Sequence, residues 1–140
     1  MATVRDYMST EVSLVPPDTT LVEAAQRMRI SGLGGVPVGE STGGECVGIL
    51  TERDIVVRVL AEEREARAVF VRDVATPDPV TCGPEEEVDA VLARMRDEQV
   101  QHLPVVEDGR VVGMLSLADI AFRRPDEERG TVAPDAIESR

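Results

Sequence analysis

The sequence predicts an α+β fold made of two copies of one β-α-β-β-α unit. Three observations carry this expectation. The chain matches itself in order: a shift of 67 residues, 4 to 71, lays Val4-Arg5-Asp6 on Val71-Arg72-Asp73 and Arg27-Met28-Arg29 on Arg94-Met95-Arg96. The same shift lays Pro37-Val38 on Pro104-Val105, and after a two-residue gap Val47-Gly48 falls on Val112-Gly113. Each copy also carries one helix-period apolar face and then two short apolar runs. Finally, each copy ends in a strand that enters a helix through a hydroxyl residue with Asp three positions later, at Thr51/Asp54 and Ser116/Asp119.

Taken in order, each copy opens with a short segment, Val4–Met8 or Val71–Ala75, and an extended stretch, Glu11–Val15 or Pro79–Cys82. Pro16-Pro17 and Gly83-Pro84 break the chain there. A helix follows, with its apolar face on Leu21, Ala24, Ala25 and Met28 in one copy and Val88, Val91, Leu92 and Met95 in the other. Both have the i, i+3, i+4, i+7 spacing of an amphipathic helix. Thr20 and Glu23 are placed for a capping box. Val36-Pro37-Val38 and Leu103-Pro104-Val105-Val106 read as strands with Pro at the start, where it is tolerated. Asp108-Gly109 predicts a tight hairpin to the next strand, whereas Gly39–Glu45 predicts a longer loop. The closing helices start at Thr51, running to about Arg67, and at Ser116, ending near Phe122. The expected divisions are 1–67, 68–123 and a polar tail, 124–140, disordered or loosely docked. A unit of about 55 residues buries too little apolar surface alone, so the two copies are expected to pack together.

Composition narrows the function. Apolar residues make up 42% of the chain, but the aromatics are only Tyr7, Phe70 and Phe122, so the core is aliphatic. No apolar run reaches the ~20 residues needed to span a bilayer, and the N-terminus lacks a signal-peptide core. A cytoplasmic location, with no membrane partner, is expected. A net charge of −12 argues against a nucleic-acid partner, because phosphate backbones call for a basic face. Cys46 and Cys82 have no metal-site or disulfide-scaffold spacing and read as buried free thiols. The single His and the lack of a P-loop, a Gly-x-Ser-x-Gly elbow or a paired-His motif predict a non-enzyme with no metal and no required cofactor.

The helix with Met28 or Met95, the strand pairs, and above all Gly48-Ile49-Leu50-Thr51-Glu52-Arg53-Asp54 and Gly113-Met114-Leu115-Ser116-Leu117-Ala118-Asp119 resemble the cystathionine-β-synthase (CBS) domain. The tandem, from Val4 to Phe122, resembles a Bateman module. The resemblance implies repeats packed sheet to sheet about a pseudo-two-fold axis, with two clefts for adenosine-containing ligands: AMP, ADP, ATP, S-adenosylmethionine or NAD-type molecules. It implies a regulatory module, pairing as a homodimer and acting on a separate protein partner. The alternative is a scaffold of the same fold with empty clefts.

The resemblance further implies composite clefts. One combines Ser13 with Gly34, His102, Met114, Ser116 and Asp119; the other combines Val80 with Gln101, Gly35, Ile49, Thr51, Arg53 and Asp54. Asp54 and Asp119 would hold ribose hydroxyls, which suits a carboxylate's acceptor pair. Thr51 and Ser116 would contact ribose or the first phosphate. Ser13 and Val80 would offer backbone and packing to adenine, and Ile49 and Met114 would pack on base or sugar. His102 reads either as a phosphate contact or as an exposed loop residue, and Arg53 as a surface residue or a phosphate contact. One hydroxyl-x-x-Asp motif alone is also an ordinary helix cap; its repetition favours the ligand role.

Overall fold

A computed structural model describes residues 1–40 and 44–123; the expected tail and the middle of the Gly39–Glu45 loop lie outside the described residues. A 3-10 turn at Val4–Asp6 precedes helix α1 (Leu21–Ser31). The hydroxyl of Thr20 accepts the Glu23 N–H at 3.2 Å, one half of the expected capping box. Gly32, in the left-handed region at φ 75°, closes the helix by donating to the Met28 carbonyl. Strands β1 (Gly35–Val38) and β2 (Gly48–Thr51) follow, then α2 (Glu52–Ile55), which continues as a π-helical turn over Val56–Leu60. The helix expected to reach Arg67 therefore ends at Leu60. Arg64 N–H bonds the Val59 carbonyl, Glu63 takes φ 54°, and Glu62–Glu65 offer no apolar face to prolong the helix.

The second copy contributes α3 (Val71–Val74), β3 (Thr76–Pro77), α4 (Val88–Glu98), β4 (His102–Glu107), β5 (Arg110–Ser116) and α5 (Leu117–Arg123). The Asp108-Gly109 turn has φ of 52° and 78° at its two residues, the hairpin conformation its composition predicts. Antiparallel sheets form as β1-β2-β3 and β4-β5. The two extended stretches add only single parallel bridges, Val15 to Val38 and Cys82 to Val105. Pro37 and Pro104 lie inside β1 and β4 rather than at their starts, and their missing N–H groups stop each parallel ladder after one residue. The apolar helix faces sit largely as expected: Leu21, Ala24 and Met28, and Val88, Val91, Leu92 and Met95, are buried in two cores, while Ala25 is only half-buried. Strand β1 packs against β4 and β5, so the sheets of the two copies meet.

The packing units are offset from the sequence repeats. Val4, Tyr7 and Met8 open the first repeat but lie in the second core, with Val88, Leu103, Leu115 and Ile120. Val69, Val71 and Val74 lead into or open the second repeat and lie in the first core, with Leu21, Val36, Leu50 and Val59. Backbone bonds fix the exchange on both sides. Val4 and Arg5 donate to the carbonyls of Glu86 and Pro84; Val71 and Arg72 donate to those of Thr19 and Pro17, all at 2.9 Å. Ser9 pairs with Met114 on β5 as Thr76 pairs with Ile49 on β2. The repeated glycine of the Val-Gly motif exists for this crossing: a Cβ on Gly113 would lie 2.7 Å from the Ser9 carbonyl oxygen, and one on Gly48 2.9 Å from that of Thr76. Among the described residues no helix is long and apolar enough to cross a membrane.

A candidate ligand cleft between the repeats

Strand β5 ends at Ser116, whose hydroxyl accepts the Asp119 N–H at 3.0 Å and caps α5. Opposite Ser116 on β4 stands His102. The first repeat brings the Gly34-Gly35 backbone and, at the start of α2, Glu52, whose N–H donates to the Gly34 carbonyl at 3.0 Å. Together Gly34, Glu52, His102, Met114, Ser116 and Asp119 wall a cavity of about 100 Å³ between the repeats. The two glycines let these side chains approach the backbone closely. A Cβ on Gly34 would collide with Glu52 Oε1 and lie 3.1 Å from His102 Cε1, and one on Gly35 would lie 3.0 Å from His102 Cβ and Cγ. His102 is half-buried rather than a solvent-exposed loop residue. Burial pushes its pKa below the ordinary 6.5, outweighing the opposite pull of Glu52 and Asp119.

A second cavity, of about 280 Å³ and more apolar, adjoins the first; Leu33 lies in both walls. Ser13, Val12, Val36 and Pro37 line it, with Arg27 and Ile30 of α1 at the side. The residues grouped by resemblance into one cleft thus occupy two neighbouring cavities, Ser13 in the second and the other five in the first.

The Thr51/Asp54 motif is arranged differently. Asp54 is buried, and its Oδ2 accepts the Thr51 N–H at 2.9 Å and the Thr51 hydroxyl at 3.0 Å. Its Oδ1 accepts the Thr76 hydroxyl at 3.2 Å and faces Arg58 Nε at 3.8 Å. The Thr51 hydroxyl in turn accepts the Asp54 N–H. This is a closed capping box tied to β3. By contrast, the Asp119 carboxylate accepts no hydrogen bond among the described residues. Of the other residues grouped with Asp54, Ile49 is buried, Arg53 is exposed, and Val80 packs against the second core. Gly35 and Gln101 line the Asp119 cavity instead. Glu52, Thr76 and Arg58 escaped the sequence reading. Glu52 left one trace, being the position in its motif whose counterpart is the apolar Leu117.

Two β-α-β-β-α repeats facing each other, each with a hydroxyl-x-x-Asp turn beside the junction, define a tandem-repeat α+β module. The chain belongs to the CBS-domain family: the CBS domain model matches residues 4–61 and 71–126. It is 33% identical over 128 residues to the CBS domain-containing protein YhcV of Bacillus subtilis, covering 91% of this chain and 89% of that one. It is 32% identical to hypoxic response protein 1 of Mycobacterium tuberculosis, covering 90% and 87%. The CBS domain pair of protein MJ0100, solved with 5′-methylthioadenosine and S-adenosylmethionine, superposes with a TM-score of 0.78 at 27% identity, covering 87% of this chain and 94% of that one.

Proposed function

We propose that the chain is a regulatory module, not an enzyme, that binds an adenosine-containing ligand in the cleft between Asp119 and Ser13. The observation that carries this reading is the open Asp119 carboxylate, set in a cavity with Met114 and Ser116. A ribose placed there gives Asp119 two hydroxyl donors. The adjoining apolar cavity at Ser13, Val36 and Pro37 accepts the base. The ligands of the MJ0100 domain pair have the same adenosine core. The Asp54 motif, with its acceptors already used, favours the scaffold reading for its own cleft. The output is a change in the geometry of a homodimer, felt by a separate protein partner. Exposed Val56, Val57 and Leu60 on the π-helical turn and Phe122 on α5 support pairing with a second copy.

Thermal shift against AMP, ADP, ATP, NAD, S-adenosylmethionine and 5′-methylthioadenosine tests the site. At a ligand concentration 100 times its Kd, stabilisation of about 2.7 kcal/mol is expected. It should vanish in Asp119→Ala and survive in Asp54→Ala. Stabilisation by none of these compounds refutes the reading.

A further inference from the structure

Resting on that reading, we propose that Glu52 sets the ligand class of the Asp119 cleft, admitting adenosines whose 5′ substituent is neutral or cationic and rejecting 5′-phosphates. Glu52 comes from the other repeat's motif. Its carboxylate reaches over Gly34 to the same cavity as Asp119, and His102 packs over Gly34 beside it. Among the described residues the ionisable side chains in that wall are therefore Glu52, Asp119 and His102, with no Arg and no Lys. Burial favours the neutral imidazole, so His102 brings no standing positive charge. Two arginines of the first repeat lie outside that wall. Arg53 is exposed outside the cavity wall, and Arg27 lies beside the apolar cavity, paired with Glu23 at 3.8 Å.

Consider a ligand whose ribose hydroxyls meet Asp119 and whose base lies toward Ser13. Its 5′ substituent shares the small cavity with two carboxylates. A phosphate dianion there loses hydration and meets like charge with no counter-cation. A thioether loses nothing electrostatically, and a sulfonium gains. The net charge of −12 deepens the field in the same sense.

Calorimetry on the full chain with 5′-methylthioadenosine, S-adenosylmethionine, AMP and ATP, at low and at physiological ionic strength, tests this. The thioether and the sulfonium should each bind at least tenfold more tightly than AMP, and added salt should narrow the gap. Glu52→Gln keeps the shape and removes the charge. It should strengthen AMP binding three- to tenfold while leaving 5′-methylthioadenosine within about twofold. AMP binding as tightly as 5′-methylthioadenosine, or a preference that Glu52→Gln does not move, overturns the assignment and leaves the adenosine reading standing. Binding of none of the four overturns the adenosine reading itself, and the assignment with it.

Discussion

Two aspartates at equivalent positions of a duplicated motif should differ sharply when replaced by Ala. Asp54→Ala removes the acceptor for the Thr51 N–H, the Thr51 hydroxyl and the Thr76 hydroxyl, and leaves Arg58 without its carboxylate. The Thr51 hydroxyl still caps the backbone N–H at position 54, so what is lost is the reciprocal half of the capping box and the bond from Thr76. Hydrogen bonds to a charged group contribute about 1.5–3 kcal/mol together with the penalty for stranded donors, reduced here because Thr51 and Thr76 are half-buried and water reaches them. The ion pair with the half-exposed Arg58 adds only about 0.3 kcal/mol. The sum is about 2–3 kcal/mol, or roughly 7–10 °C in Tm for a chain of this size. Asp119→Ala strands no donor, because the Ser116 hydroxyl still caps the backbone N–H at position 119. It loses only the charge in the first turn of α5, about 0.5 kcal/mol or a degree or two. Urea titrations of both variants without ligand, fitted for midpoint and slope, measure the difference. Equal losses would refute the claim that one carboxylate is structural and the other free. A double-mutant cycle of Asp54→Ala with Thr76→Val should return a coupling of about 1 kcal/mol, and zero coupling would refute the bond to β3.

Gly113→Ala should cost about 1–3 kcal/mol by pushing its new methyl against the Ser9 carbonyl, with faster hydrogen exchange at the Ser9 and Met114 amides as the local readout. His102 has its pKa lowered on folding, so the unfolded chain binds a proton more readily. Its contribution is intact above the ordinary 6.5 and is lost as pH falls through that value toward the folded pKa. The stability difference between wild type and His102→Gln should therefore shrink as pH is lowered from 7.5 to about 5. Burial pushes the Cys82 thiol up to about 12 and leaves Cys46, half-buried before β2, less strongly shifted. Mass spectrometry after brief alkylation at pH 8 should find Cys46 modified first, and equal rates would contradict the burial of Cys82. Leu60→Asp should turn the proposed homodimer into a 15.2 kDa species in sedimentation at tens of micromolar, and a wild type already at that mass would exclude the pairing.

The duplication made much of the fold legible, because apolar periodicity and turn chemistry are local. Leu21/Ala24/Met28 against Val88/Val91/Met95, and the Asp108-Gly109 hairpin, declare themselves within a few residues. The helix stop at Leu60 was not legible: Glu62–Arg67 are good helix formers, and only the lack of a core to face ends the helix there. The exchange of Val4–Met8 and Val69–Val74 between the cores was also hidden, since repeat alignment reports which residues correspond, not which copy they pack against. The sequence did show Cys46 in an apolar context, but its place in the irregular approach to β2, two residues before Gly48, leaves it only half-buried.

The site divides along the same line. That Thr51/Asp54 and Ser116/Asp119 are special was readable from their repetition. Which of them is free was not, because the answer lies in partners distant in sequence. Asp54 is held by Thr76 from the exchanged segment and by Arg58 one turn on. The segment that would have to do the same for Asp119 is the N-terminal one, and there Ser9 stands where the second copy has Thr76, engaging β5 through its backbone at Met114. Ser9 to Asp119 carries no hydrogen bond among the described residues. One copy has thus spent its motif on holding the module together and lent Glu52 to the other copy's cavity. On the proposed reading, the duplicated chain divides structural and binding duties between two copies of one motif. A Thr at position 9 tests the division: Ser9→Thr should leave the Ser9–Met114 backbone pairing intact, and any bond it forms to Asp119 should raise Tm while weakening ligand binding, the trade that a carboxylate shared between cap and ribose requires.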